Sequence, residues 1–291
     1  MVVVEILKSL RPQQWIKNFF LFAALLFSRN LFNRPLLLKT VEAFIAFCLI
    51  SSAHYIFNDL RDLAEDRLHP IKSLRPLASG RLKKTPAVLA LVMIGAAGIA
   101  LAAAINGPFL LIALGYLALQ TAYSMWLKHI VILDVFVIAA GFLMRVVAGG
   151  LAIRVTISSW LLICTILLSL FLAMGKRRHE LVLLDKEAKV HRPILKEYNI
   201  YLLDQMISVV TASTLVAYCL YTISEETVEK FGTRNLVFTV PFVLYGIFRY
   251  LYLIHQRAGG GTPEALIIRD KPLLLDIFLW IAAAAVILWW K

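Results

Sequence analysis

The chain has 291 residues, 60% of them hydrophobic and only 16% charged, with a mean hydropathy of +0.79. A soluble domain is about half apolar and about a quarter charged, so a water-soluble globule is excluded. The formal net charge of +12 does not point to nucleic acid, because the basic residues fall between apolar blocks, as in the loops of a membrane protein.

The apolar blocks are about 18–22 residues long, the length at which a helix crosses a bilayer. They show no strict alternation and are too long for barrel strands, so α-helices are expected. Nine spans are predicted, at 15–32, 38–57, 86–105, 108–126, 130–149, 158–175, 200–222, 235–254 and 273–290. The first follows Lys8, Arg11 and Lys17 and runs into Arg29-Asn30 without a small-residue cleavage pattern, so it reads as an uncleaved span. With nine spans and a cytoplasmic N-terminus, 21 Lys/Arg fall on the cytoplasmic side and seven on the other. That bias supports both the count and the orientation. Cys48, Cys164 and Cys219 each lie inside an apolar block with no CxxC or Cys/His cluster, so neither a zinc site nor a disulfide framework is expected.

The second span ends in HYIFNDLRDLAEDRLHPIKSLRPLASGRLKK, residues 54–84. Asp59, Asp62 and Asp66 are spaced i, i+3, i+7, which on one helix would stack them on a single face. Asn58 adds an amide oxygen one turn before Asp62. Three clustered carboxylates repel unless a cation lies among them, and a hard divalent ion such as Mg2+ takes such oxygens together with substrate phosphates. Lys72 and Arg75 follow, with Arg81, Lys83 and Lys84 beyond, while Arg61 and Arg67 are placed to pair with the acids. Carboxylates for metal beside cations for phosphate is the layout a diphosphate leaving group needs. The bland alternative is a solvated loop of mixed charge.

Lys128 precedes the fifth span. Asp134 and Arg145, 11 residues apart, share a face of that span as either an internal ion-pair element or part of a site. After the sixth span comes Gly175-Lys176-Arg177-Arg178-His179-Glu180-Leu181, mostly basic, with Asp185 a turn beyond. Glu225, Glu226 and Glu229 read as a solvated external loop. Gly259-Gly260-Gly261 lacks a preceding strand and a following GK[ST], so it reads as a flexible loop. Of the six histidines, scattered near loop edges without ligand spacing, only His69 and His179 fall within the two motifs.

Asn58-Asp59-x-x-Asp62-x-x-x-Asp66, followed by Arg75-Pro76-x-x-Ser79-Gly80, resembles the first aspartate-rich motif of the UbiA superfamily of intramembrane prenyltransferases, and the span plan matches over the whole chain. The resemblance implies one domain over residues 1–291, an all-α polytopic membrane bundle of nine helices around a central cavity. It also implies Mg2+ dependence and a polyprenyl chain in a lipid-open groove. Members that move a prenyl group carry a second aspartate-rich motif after span six, and here that place is basic. Arg11-Pro12-x-x-Trp15-x-Lys17-Asn18, Gly-Lys-Arg-x-x-Glu and the late Pro263-Glu264…Arg269-Asp270-x-Pro272-Leu273 are similar to the decaprenyl-phosphate phosphoribosyltransferase branch. The expected reaction is then transfer of 5-phosphoribose from phosphoribosyl pyrophosphate (PRPP) to a polyprenyl phosphate. Three phosphate-bearing groups at one site call for extra cations.

The resulting assignment gives Asn58, Asp59, Asp62 and Asp66 to the metal, the three aspartates also carrying catalysis. Lys17, Arg67, Lys72, Arg75, Lys128, Lys176, Arg177 and Glu180 go to substrate and phosphate. Expected partners are the lipid phosphate, PRPP and bilayer lipids, with room for a homo-oligomer and no nucleic acid. The expected location is the cell (inner) membrane. Two rivals are prenyl transfer to an aromatic acceptor and, from another class, a transporter or non-catalytic membrane protein, for which no matching pair of broken helices is found.

Overall fold

The computed structural model describes residues 2–184, 193–256, 266 and 269–289. The described chain is helical, and eight of its helices are long and apolar enough to cross a membrane. They are α3 (Arg34–Arg61), α5 (Lys84–Ile105), α6 (Gly107–Met125), α7 (Leu133–Ile153), α8 (Ser159–Leu184), α9 (Ile200–Ile223), α11 (Val240–Gln256, with a 3-10 lead-in from Asn235) and α12 (Lys271–Trp289). Shorter helices are α1 (Val2–Ser9), α2 (Phe22–Phe27), α4 (Leu63–Leu68) and α10 (Glu225–Phe231). All-α membrane architecture is thus the fold.

Local sequence explains the helix starts. Asn33, Asn106 and Asn199 each accept a hydrogen bond from the backbone N–H three residues on, at 3.3, 2.8 and 2.7 Å. Pro35 and Pro108 sit in first turns, where a missing N–H costs nothing.

The first expected span differs. Residues Pro12–Leu21 wind as a 3-10 helix before the short α2. A three-residue turn aligns side chains at i, i+3 and i+6, and the sequence uses that repeat. Trp15 donates to Ser52 Oγ at 3.0 Å, Asn18 donates to Ser51 Oγ at 3.3 Å, and Leu21 is fully buried. An α-helix would rotate these three apart.

The chain forms two compact units. Residues 1–128 and 141–157 make the first, whose core joins Leu21, Leu25, Phe47, Ile50, Phe109 and Tyr116. Small residues let its helices approach: a Cβ on Gly98 of α5 would lie 2.9 Å from Ile50 Cγ1. Residues 129–140 and 158–291 make the second, with a core of Val135, Phe171, Met174, Ile207, Tyr250 and Leu253. Helix α7 therefore contributes residues to both.

Candidate active site

The acidic motif does not run along one continuous helix. Helix α3 stops at Arg61, Asp62 takes its C-cap with φ −89° and ψ 16°, and α4 begins at Leu63. The break divides the three aspartates. Asp59 and Asp66, each 2% exposed, are joined by Arg75, whose Nη1 donates to Asp59 Oδ1 at 3.1 Å and to Asp66 Oδ2. Arg11 donates a second, short hydrogen bond to Asp59 Oδ1 and lies over the Tyr55 ring. Lys72 Nζ is 3.7 Å from Asp66 Oδ1. Asp62 is more open, held by Arg61 at 2.6 Å and Lys128 at 3.9 Å.

The expected phosphate cations Arg75 and Lys72 are therefore present at the acids, and Lys128 joins them at Asp62. Burial lowers the Arg11 pKa from its ordinary value, opposed by the Asp59 charge. Lys17 is half-buried on the Pro12–Leu21 segment, and Arg67 is exposed on α4. His69 turns its Nδ1 to the backbone N–H groups of Ile71 and Lys72 at 3.1 and 3.3 Å, which gives it a place in the turn.

Among the described residues, no three His, Cys, Asp or Glu side chains gather into a ready metal cluster. The donor set nonetheless suits a hard cation. It contains oxygen only, and Asn58 Oδ1 is buried with no hydrogen-bond partner, which leaves it a lone pair to give. Arg75 occupies two of the same carboxylates, so a cation and this guanidinium would compete for Asp59 and Asp66.

The basic motif lies in the second unit. Arg177, 1% exposed, donates to Asp134 Oδ2 at 2.7 Å and to Glu180 Oε2 at 2.9 Å. Tyr198 donates to the other Asp134 oxygen at 2.8 Å and accepts from the Ile132 N–H. Lys176 is half-buried beside it in sequence. Asp134 thus pairs with a charge from α8. Arg145, on the same helix, belongs to the first unit, where it donates to Asn18 Oδ1, Gly141 O and Tyr116 Oη at 2.7–2.8 Å. The late Asp270 pairs with Arg249 at 2.9 Å and caps α12 through the Leu273 N–H. Asp185, His191, Gly259-Gly260-Gly261 and Pro263-Glu264 lie outside the described residues.

Residues 18–281 match the UbiA prenyltransferase family. The chain belongs to that family. It is 32% identical over 286 residues to the decaprenyl-phosphate phosphoribosyltransferase of Mycobacterium tuberculosis (strain CDC 1551 / Oshkosh), covering 97% of this chain and 93% of that one. The protein of the same name from Corynebacterium glutamicum is 32% identical over 281 residues, covering 94% and 84%. A UbiA homolog from Archaeoglobus fulgidus, solved bound to GPP and Mg2+, has the same fold, with a TM-score of 0.72 at 21% identity over 98% of this chain and 99% of that one.

This UbiA-family chain is a multi-pass membrane transferase. What sequence reasoning missed in its first motif is Arg11 as a partner of Asp59, 48 residues away. The available signal was its place in Arg11-Pro12-x-x-Trp15-x-Lys17-Asn18, the segment that the 3-10 repeat fastens to α3.

Proposed function

We propose that this protein transfers 5-phosphoribose from PRPP to a polyprenyl phosphate and releases pyrophosphate. The observation that carries the proposal is the near full-length likeness to two proteins named decaprenyl-phosphate phosphoribosyltransferase. The acid-and-guanidinium site at the end of α3 supports it chemically. In this reading Asn58, Asp59, Asp62 and Asp66 hold Mg2+, which supplies charge neutralisation for the departing pyrophosphate. Lys17, Arg67, Lys72, Arg75 and Lys128 bind phosphate oxygens. Arg75 is the best placed of these, because it reaches both buried carboxylates and could exchange one of them for substrate oxygen.

The bond between the ribose anomeric carbon and pyrophosphate breaks, the electron pair leaving with pyrophosphate. A lipid phosphate oxygen forms the new bond at that carbon. The acceptor phosphate is already anionic near neutral pH, so no general base is required, and fixed cations carry the developing leaving-group charge. In the second unit, Lys176, Arg177 and Glu180 are proposed to take part in binding. The burial of Arg177 against Asp134 makes a supporting role for it the first thing to test. The N-terminus and both charged loops are proposed to be cytoplasmic, a reading the positive bias supports.

Purified protein with Mg2+ is offered PRPP plus polyprenyl phosphate in one tube, and polyprenyl diphosphate plus 4-hydroxybenzoate in another. The expected outcome is a phosphoribosylated lipid in the first tube alone. Product only in the second tube would replace this reading by prenyl transfer, and product in neither would return the chain to a non-catalytic role.

A further inference from the structure

The loop joining α3 to α5 has two apolar sets, and only one is used inside the protein. Leu63, Leu77 and Leu82 are buried, packed with Leu10, Ile56 and Ala87. Leu68, Ile71 and Leu74 form the other, and they are 84%, 75% and 70% exposed. Ile71 caps and Leu74 ends the 3-10 turn Lys72–Leu74, whose three-residue repeat puts them on one side, while Leu68 ends α4 just before the extended His69. The same loop exposes Arg67, Arg81, Lys83 and Lys84 against two exposed or half-exposed acids, Glu65 and Asp62. Both of its ends join helices long and apolar enough to cross a membrane, so the segment is tethered to the bilayer surface at each end. Arg81 ties it to α1 through Glu5 at 3.7 Å.

We propose that Leu68, Ile71 and Leu74 seat this loop in the headgroup–acyl boundary of an anionic leaflet, with Lys83 and Lys84 on lipid phosphates. Charge complementarity selects this occupant. A protein groove for three aliphatics has no need of flanking lysines, whereas aliphatic side chains beside cations are how interfacial segments hold anionic membranes. Asp66 and Arg75 lie in the same loop, so the seat sets their depth near headgroup level. The inference holds whichever group is transferred.

Spin labels at Leu68→Cys, Ile71→Cys and Leu74→Cys, in cysteine-free full-length protein in nanodiscs with phosphatidylglycerol, read the depth. Glu226→Cys, exposed outside the spans, serves as the aqueous control. The expected result is collision with oxygen exceeding collision with the water-soluble nickel chelate, the latter several-fold below the control. Chelate access at Ile71→Cys should rise at least twofold in neutral phosphatidylcholine discs and in a Lys83→Glu/Lys84→Glu variant. Benzoylphenylalanine at Ile71, which needs no cysteine removal, should crosslink to lipid. Chelate access equal to the control overturns the proposal, as does shielding from both reagents or a crosslink to protein, including a second copy. Depth that ignores lipid charge overturns the anionic part.

Discussion

Replacing Arg75 by glutamine separates the two charges this side chain serves. Its Nη1 lies 3.1 Å from Asp59 Oδ1 and also reaches Asp66, and both carboxylates are 2% exposed. At an effective dielectric near 20, a contact at this range is about 5 kcal/mol before desolvation. The guanidinium itself is 28% exposed, which discounts the net loss to about 3 kcal/mol, the lower end for breaking a buried pair. At about 2 °C per kcal/mol for a chain of this size, Arg75→Gln should melt about 6 °C lower in detergent without divalent ions. Magnesium should then reverse much of the loss, because the competitor for Asp59 and Asp66 is gone. A ligand at a hundred times its Kd contributes about 2.7 kcal/mol. The wild type should gain less, because there the ion must displace Arg75. Asp66→Asn in the same titration should lose most of the response. Equal magnesium shifts in wild type and Arg75→Gln would refute the competition, and an undiminished shift in Asp66→Asn would refute the metal assignment.

Three more outcomes follow from the same kind of reasoning. Arg177→Gln removes the guanidinium charge from the fully buried Asp134 and should cost about 3–5 kcal/mol in a thermal melt; normal stability with lost PRPP-dependent turnover would instead make Arg177 a ligand-binding group. Gly149→Ala would set a Cβ 2.0 Å from the Leu21 backbone oxygen, so it should misfold or lose about 3 kcal/mol or more, and a variant that runs as wild type on gel filtration and in a melt contradicts the packing. Burial, reinforced by the hydrogen bond to Asp134, pushes the Tyr198 phenol up to about 12. The folded state therefore favours the neutral form, and that stabilisation is present below the ordinary value of about 10 and disappears as pH rises towards about 12. Wild type should lose more stability across this window than Tyr198→Phe, and parallel curves would sink the assignment.

The sequence alone determined the solvent and the element type, and it singled out the candidate site. Apolar blocks of bilayer length force helices, because backbone groups in lipid have only one another to bond. NDxxDxxxD at the end of α3 marked a candidate site because clustered carboxylates drawn out of water need a cation. Only the tertiary structure decided which cation. Spacing put Asp59, Asp62 and Asp66 on one face, yet the chain breaks at Asp62, and Arg75 and Arg11 close on Asp59 from 16 and 48 residues away. Spacing likewise put Asp134 and Arg145 on one side of α7, yet one pairs with Arg177 and the other with Asn18 and Tyr116. The physical reason is the same in each case. Helical periodicity is a local property of the backbone, whereas a charge withdrawn from water takes whichever opposite charge or dipole the packing brings within about 3 Å, and sequence distance does not enter that choice.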